Sequence, residues 1–116
     1  MKKSIYQMIG LAQKARMVSS GTMAAKSSII GRRAELLILS GDISTRAKEE
    51  LVRACRKREI PYLVIGDKYK LGAHVGKAYR VALTVNDKGL AQAIINSVEE
   101  LTEEERRQMG VVEWQK

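Results

Sequence analysis

One cysteine, one histidine, one proline and no phenylalanine occur among the 116 residues. A lone Cys55 forms no internal disulfide, and one Cys with one His cannot assemble a zinc site. No apolar run approaches the ~20 residues that a membrane span requires, so no membrane partner is expected. The single cysteine, and an N-terminus without a secretory pattern, lead to the expectation of a reducing cytoplasm. Neither the P-loop nor the dinucleotide-binding glycine pattern is present. No cofactor, metal or small-molecule substrate is therefore expected. Groups suited to catalysis are equally scarce. His74 lies in "LGAHVG" and reads as structural, while Cys55 follows Ala54 near Leu51 and reads as a small core residue. A non-enzymatic protein is the expectation.

What the chain does have is positive charge. It carries 21 Lys+Arg against 13 Asp+Glu, a net of +8, and the excess is uneven. Residues 1–90 hold 18 basic and 7 acidic side chains, whereas residues 91–116 hold 3 and 6. A cationic body of this kind attracts polyanions and speeds association with nucleic acid.

Helical and extended patterns alternate along the chain. Ile5, Met8, Ile9 and Ala12 recur at helical spacing, which predicts an amphipathic helix over 4–15. "MVSSG" reads as a short extended link, followed by a helix at 21–33. "ELLILSG" at 35–41 is a continuous apolar run, as expected of a strand covered on both faces. Ser44 caps a helix over 45–58 with Ala47, Leu51, Ala54 and Cys55 inward. A second buried strand lies in "EIPYLVIGD", a glycine-bounded helix or turn in "KYKLGAHVG", and a third strand in "YRVALTV". Asn86 and Asp87 open a long helix with Leu90, Ile94 and Val98 on its core side. Thr102 and Glu105 fit a capping box. The last ten residues, with Trp114 among polar neighbours, are expected to fray. This αβαβαβα order predicts an α/β protein, a three-layer α/β/α sandwich around a small mixed β-sheet. Residues 1–100 form the domain, and 101–116 a helical extension and tail.

Three segments are candidates for binding. At the start of the second helix, Gly21 leaves backbone N–H groups open, with Ser19, Ser20 and Thr22 beside it and Lys26 one turn on. Unpaired donors and the helix dipole both favour an anion there. Simple capping by Ser20 or Gly21 accounts for the same residues without a ligand. Ser44 lies in the next strand-to-helix turn. Lys70, Lys77 and Arg80 belong to a basic, glycine-containing segment that also includes Lys68 and Tyr79. Loops leaving one sheet edge gather into one surface, which suits a bent RNA backbone.

The "SGT" before the second helix, the spacing from Gly21 to "AELLILSGD", "IPYLVIGDKYKLGAHVG" and "TVNDKGLAQAI" occur here in a specific order. With them, residues 4–98 resemble the ribosomal protein L-seven-Ae / L-thirty-e superfamily, in particular its small bacterial stand-alone members. The resemblance implies a non-enzymatic RNA-binding domain. Many relatives clamp kink-turn RNA through the start of the second helix and the loops around it. The family pattern there is Gly, Asn and Glu at the second and third following positions, and Lys at the sixth. This chain keeps Gly21 but has Met23, Ala24 and Ser27, with its lysine one place early at Lys26. The resemblance therefore implies RNA binding with an altered motif preference. The partners expected are structured RNA, ribosomal or kink-turn-like, and ribosomal or other ribonucleoprotein components. The alternative is a protein-interaction scaffold, with Met23 and Ala24 as an apolar contact and Trp114 and the acidic tail as a second one.

Overall fold

A computed structural model describes residues 4–116. Helix α1 (Ile5–Lys14) is followed by β1 (Val18–Ser20), α2 (Thr22–Ile30), β2 (Leu36–Leu39) and α3 (Thr45–Lys57). Then come β3 (Tyr62–Ile65), α4 (Lys68–His74), β4 (Ala82–Val85), α5 (Lys88–Glu100), α6 (Glu103–Met109) and β5 (Val111–Gln115). The strands form one mixed sheet in the order β1-β4-β2-β3-β5. Strands β2 and β3 run parallel, and the other three pairings are antiparallel.

Every residue of β2, β3 and β4 is buried, because helices cover both faces of the sheet. On one face α1, α4 and α5 pack Ile9, Leu71 and Ile94 against Leu36, Ile38, Leu63, Ile65, Leu83 and Val85. On the other, α2 and α3 pack Ala25, Ile29, Leu51 and Cys55 against Leu37, Leu39, Tyr62, Val64 and Ala82. Successive strand residues point to opposite faces, so each central strand feeds both cores. The three-layer α/β/α sandwich is the observed fold. Cys55 is a fully buried core residue, and burial pushes its thiol up to about 12, far from a reactive thiolate.

Two expectations are corrected. "MVSSG" is not a bare link, since Val18–Ser20 pair with Leu83–Val85 as an edge strand. The C-terminal residues do not fray, since β5 pairs with β3, with Trp114 opposite Leu63 and packed against the core. The physical reason is the open edge of β3, whose backbone donors and acceptors need partners. Gly110, in the left-handed region at φ 78°, turns the chain from α6 back along that edge. Residues 101–116 thus contribute α6, which carries the expected Thr102/Glu105 capping box, and a strand of the main sheet. Trp114→Ala should cost about 2 kcal/mol, roughly half the effect of a fully buried aromatic, and lower Tm by several degrees in a thermal melt.

Lys48 of α3 is tied to β5 by an ion pair with Glu113 at 2.6 Å, and Glu113 also accepts from the Tyr62 hydroxyl. The bond from Lys48, then that from Tyr62, hold the Glu113 carboxyl below its ordinary range. A depressed carboxylate stabilises the fold above the unfolded-state value and loses that contribution as pH falls through the folded one. Stability should therefore drop below about pH 4.5, and Lys48→Met should shrink the drop, as read from urea midpoints at stepped pH.

Candidate nucleic-acid interface

Strands β1, β2 and β3 point the same way, and each ends in a short turn that starts a helix. The starts of α2, α3 and α4 therefore gather at one edge of the sheet. Strands β4 and β5 run in the opposite sense, so their first residues return to that edge. Backbone bonds lace the turns together: Gly41 N–H to Gly66 O at 2.7 Å, Gly66 N–H to Gly110 O at 2.9 Å, and Ser40 N–H to Val81 O at 2.9 Å. The Asp42 carboxylate accepts from Lys68 N–H at 3.0 Å, joining the β2–α3 turn to α4.

Five of the six helices among the described residues have a side-chain cap. Ser4, Ser44, Asp67, Asp87 and Thr102 accept from the first-turn amides of α1, α3, α4, α5 and α6. Helix α2 is the exception. Gly21 occupies its cap position with no side-chain bond, and Ser20 does not serve. Gly21 N–H bonds to Ala82 O at 2.8 Å, and the helical ladder begins only with Ala25 N–H to Gly21 O. Among the described residues, the amides of Thr22, Met23 and Ala24 have no partner at the positive end of the helix dipole. Gly21 adopts φ 100°, a conformation that side chains rarely tolerate.

Arg80 stands beside this helix start. Its Nε lies 3.8 Å from where a Cβ on Gly21 would sit and donates to Ser20 Oγ at 3.3 Å, while Nη1 donates to Tyr79 O at 2.8 Å. The loop carrying Arg80 is held by Lys77 N–H to Gly72 O at 2.9 Å and by Arg80 N–H to Lys68 O at 2.8 Å. Gly72 makes this packing possible, because a Cβ there would meet Tyr79 Cα at 2.6 Å and Lys77 O at 2.8 Å. Behind α2, Asn86 closes a polar cluster. Its Oδ1 accepts from Ser28 Oγ at 2.8 Å and Thr84 Oγ1 at 2.9 Å, and its Nδ2 donates to Ser19 Oγ at 2.8 Å. Helix α2 is thereby pinned to β1 and β4.

The residues expected from sequence are distributed as follows. Gly21, Thr22 and Arg80 come together, and exposed Lys77 lies on the Arg80 loop. Ser44 lies on the same edge with its hydroxyl accepting from Ala47 N–H at 3.2 Å. The Lys70 ammonium sits 4.5 Å from the centroid of the Tyr6 ring, toward α1. Lys26 is paired with Glu50 of α3. Met23, Ala24 and Ser27 are exposed, Met23 by 86%. His74 is half-buried, stacked near Tyr6 with Nδ1 2.8 Å from Lys70 O, in keeping with a structural role. Asn86 was legible only as part of a helix start; its contacts to Ser19, 67 residues away, and Ser28 are tertiary.

The family model described as "Ribosomal protein L7Ae/L30e/S12e/Gadd45 family" matches residues 3–95. The chain belongs to this family. It is similar to a curated relative, "RNA-binding protein YlxQ" of Bacillus subtilis, at 32% identity over 91 residues, covering 78% of this chain and 91% of the relative. Among solved structures it is similar to a protein of unknown function from Bacillus halodurans C, with 29% identity and a TM-score of 0.80. That match covers 86% of this chain and all of the other. It also shares its fold with the Giardia lamblia 15.5kD RNA binding protein, at 19% identity, TM-score 0.70 and 82% coverage of each chain.

Proposed function

We propose that the protein is a non-enzymatic RNA-binding protein that grips structured RNA at the edge where α2, α3 and α4 begin. The observation that carries this reading is the uncapped start of α2. Three unpaired amides face out next to Arg80, in a chain that caps each of its other described helices with a side chain. Such donors suit a phosphate or a base edge, and Lys77 adds a cation from the adjoining loop. The chain's net charge of +8 and its family support the same reading, as does the relative named as an RNA-binding protein.

The preferred RNA, in this reading, is a bent element of ribosomal or kink-turn-like type, within a ribonucleoprotein of the cytoplasm. Its recognition differs from that of Asn- and Glu-bearing relatives, because Met23 and Ala24 offer no polar side chain to base edges. Each lost bidentate base contact weakens discrimination by ~1–3 kcal/mol. Electrophoretic titration against a standard kink-turn, a plain duplex and ribosomal RNA fragments tests the reading. Binding to structured RNA with at most a weak kink-turn preference is expected. Tight binding to the kink-turn alone would overturn the altered preference, and binding to none would overturn the function.

A further inference from the structure

Two of the chain's four tyrosines are used by the fold, and two are not. Tyr6 and Tyr62 are buried, with hydroxyls donating to Met109 O and Glu113. Tyr69 and Tyr79 are 63% and 56% exposed, and neither hydroxyl has a hydrogen-bond partner among the described residues. Both belong to the interface edge, Tyr69 in the first turn of α4 and Tyr79 next to Arg80. The ammonium of Lys68 lies 5.3 Å from the centroid of the Tyr69 ring and 5.6 Å from that of Tyr79. Both distances are within the range of a cation–π contact.

We propose that Tyr69 and Tyr79, with the Lys68 ammonium between them, form a platform on which unpaired bases of the bound RNA stack. The proposal rests on the RNA-binding reading above and names the part of the RNA that is recognised. The backbones of the two residues are fixed while more than half of each residue's surface stays exposed. Tyr69 N–H bonds to Asp67 Oδ1 at 2.9 Å, and Tyr79 is held by Gly72 packed against its Cα and by Arg80 on its carbonyl. A preset platform with only two side-chain torsions per residue loses little entropy when a base settles on it. The fold gains little from leaving two large rings in water, whereas a nucleobase covers a ring and its phosphate meets the lysine. Stacking needs no particular base edge, since every base has a π-face. It therefore supplies affinity where Met23 and Ala24 supply no hydrogen bonds. The result is selection for unpaired nucleotides over continuous duplex, with little dependence on which bases they are.

The test uses the full chain and a pair of hairpin RNAs that share one stem, with and without an internal bulge carrying 2-aminopurine. The wild-type protein should bind the bulged RNA more tightly and quench the 2-aminopurine fluorescence. Tyr69→Leu and Tyr79→Leu keep an apolar side chain but lose the ring. Each should weaken bulge binding roughly tenfold and relieve the quenching, while stem-only binding and its salt dependence stay unchanged. The Tyr→Phe variants should behave as wild type. Leu variants that bind and quench like wild type would overturn the platform. So would a wild-type protein that binds both hairpins equally, which would leave RNA binding itself intact. Failure of the wild type to bind either RNA would instead overturn the underlying reading.

Discussion

Replacing Lys77 and Arg80 together with glutamate should abolish RNA binding, with affinity falling roughly hundredfold or more at physiological salt. Arg80 is fixed beside Gly21 at the start of α2, and Lys77 lies on the same short loop. Each phosphate contact removed makes the dependence of log K on log salt shallower by about 0.7–0.9, so the residual binding should also be less salt-sensitive. Both residues lie at the surface or half-buried, and the bonds of Arg80 go to a partly exposed serine and to a neighbouring carbonyl. The melting temperature should therefore change little. Filter binding across a salt series and a thermal melt together check the result. Unchanged RNA affinity in the double variant would show that the RNA lies elsewhere on the molecule.

The second large effect concerns Asn86, which touches no RNA in this account. Asn86→Ala strands the hydroxyls of Ser28 and Thr84, both fully buried, and removes the donor to Ser19. Each orphaned buried group costs ~1–3 kcal/mol, which places the total at roughly 2–5 kcal/mol of a fold stability on the order of 5–15. Urea unfolding should show a midpoint shift of that size. The cause is loss of acceptor and donor rather than lost volume, so adding Ser28→Ala and Thr84→Val to the variant should recover part of the loss. RNA affinity should fall even where the variant remains folded, because the same cluster holds α2 against β1 and β4. A variant as stable as wild type would mean that these hydroxyls find other partners.

The central strands were legible because burial on both faces writes itself into sequence as continuous apolar runs, "LLIL" and "YLVI". Helices α1, α3 and α5 were legible from their apolar periodicity, and α6 from its capping box. The edge strands were not. Val18–Ser20 is too short and polar to show a period, and Val111–Gln115 mixes β-branched, charged and aromatic residues. Each exists because a neighbouring strand offers it an open edge, information held by β4 and β3 rather than by the segment itself. The interface was partly legible for the same kind of reason. Gly21 and the basic segment through Arg80 stood out in the sequence as candidate anion-binding residues, and sheet topology brings the two together. The capture of Lys26 by Glu50 depends on how α2 lies against α3, which no local pattern encodes. The exposure of Tyr69 is likewise a product of the fold, since tyrosine is intermediate between buried and exposed residue types and its local sequence does not decide which.

The central claim is that RNA meets the protein at the uncapped start of α2 and the loop beside it. Backbone amide chemical-shift mapping by NMR, during titration with the bulged hairpin RNA, tests this most directly. The account predicts the largest shifts at Thr22, Met23, Ala24, Lys77, Tyr79 and Arg80, with little change at Arg32, Glu59 and Ile60 at the opposite end of the sheet. Shifts concentrated at that opposite end, with the amides of Thr22 to Ala24 unmoved, would contradict it.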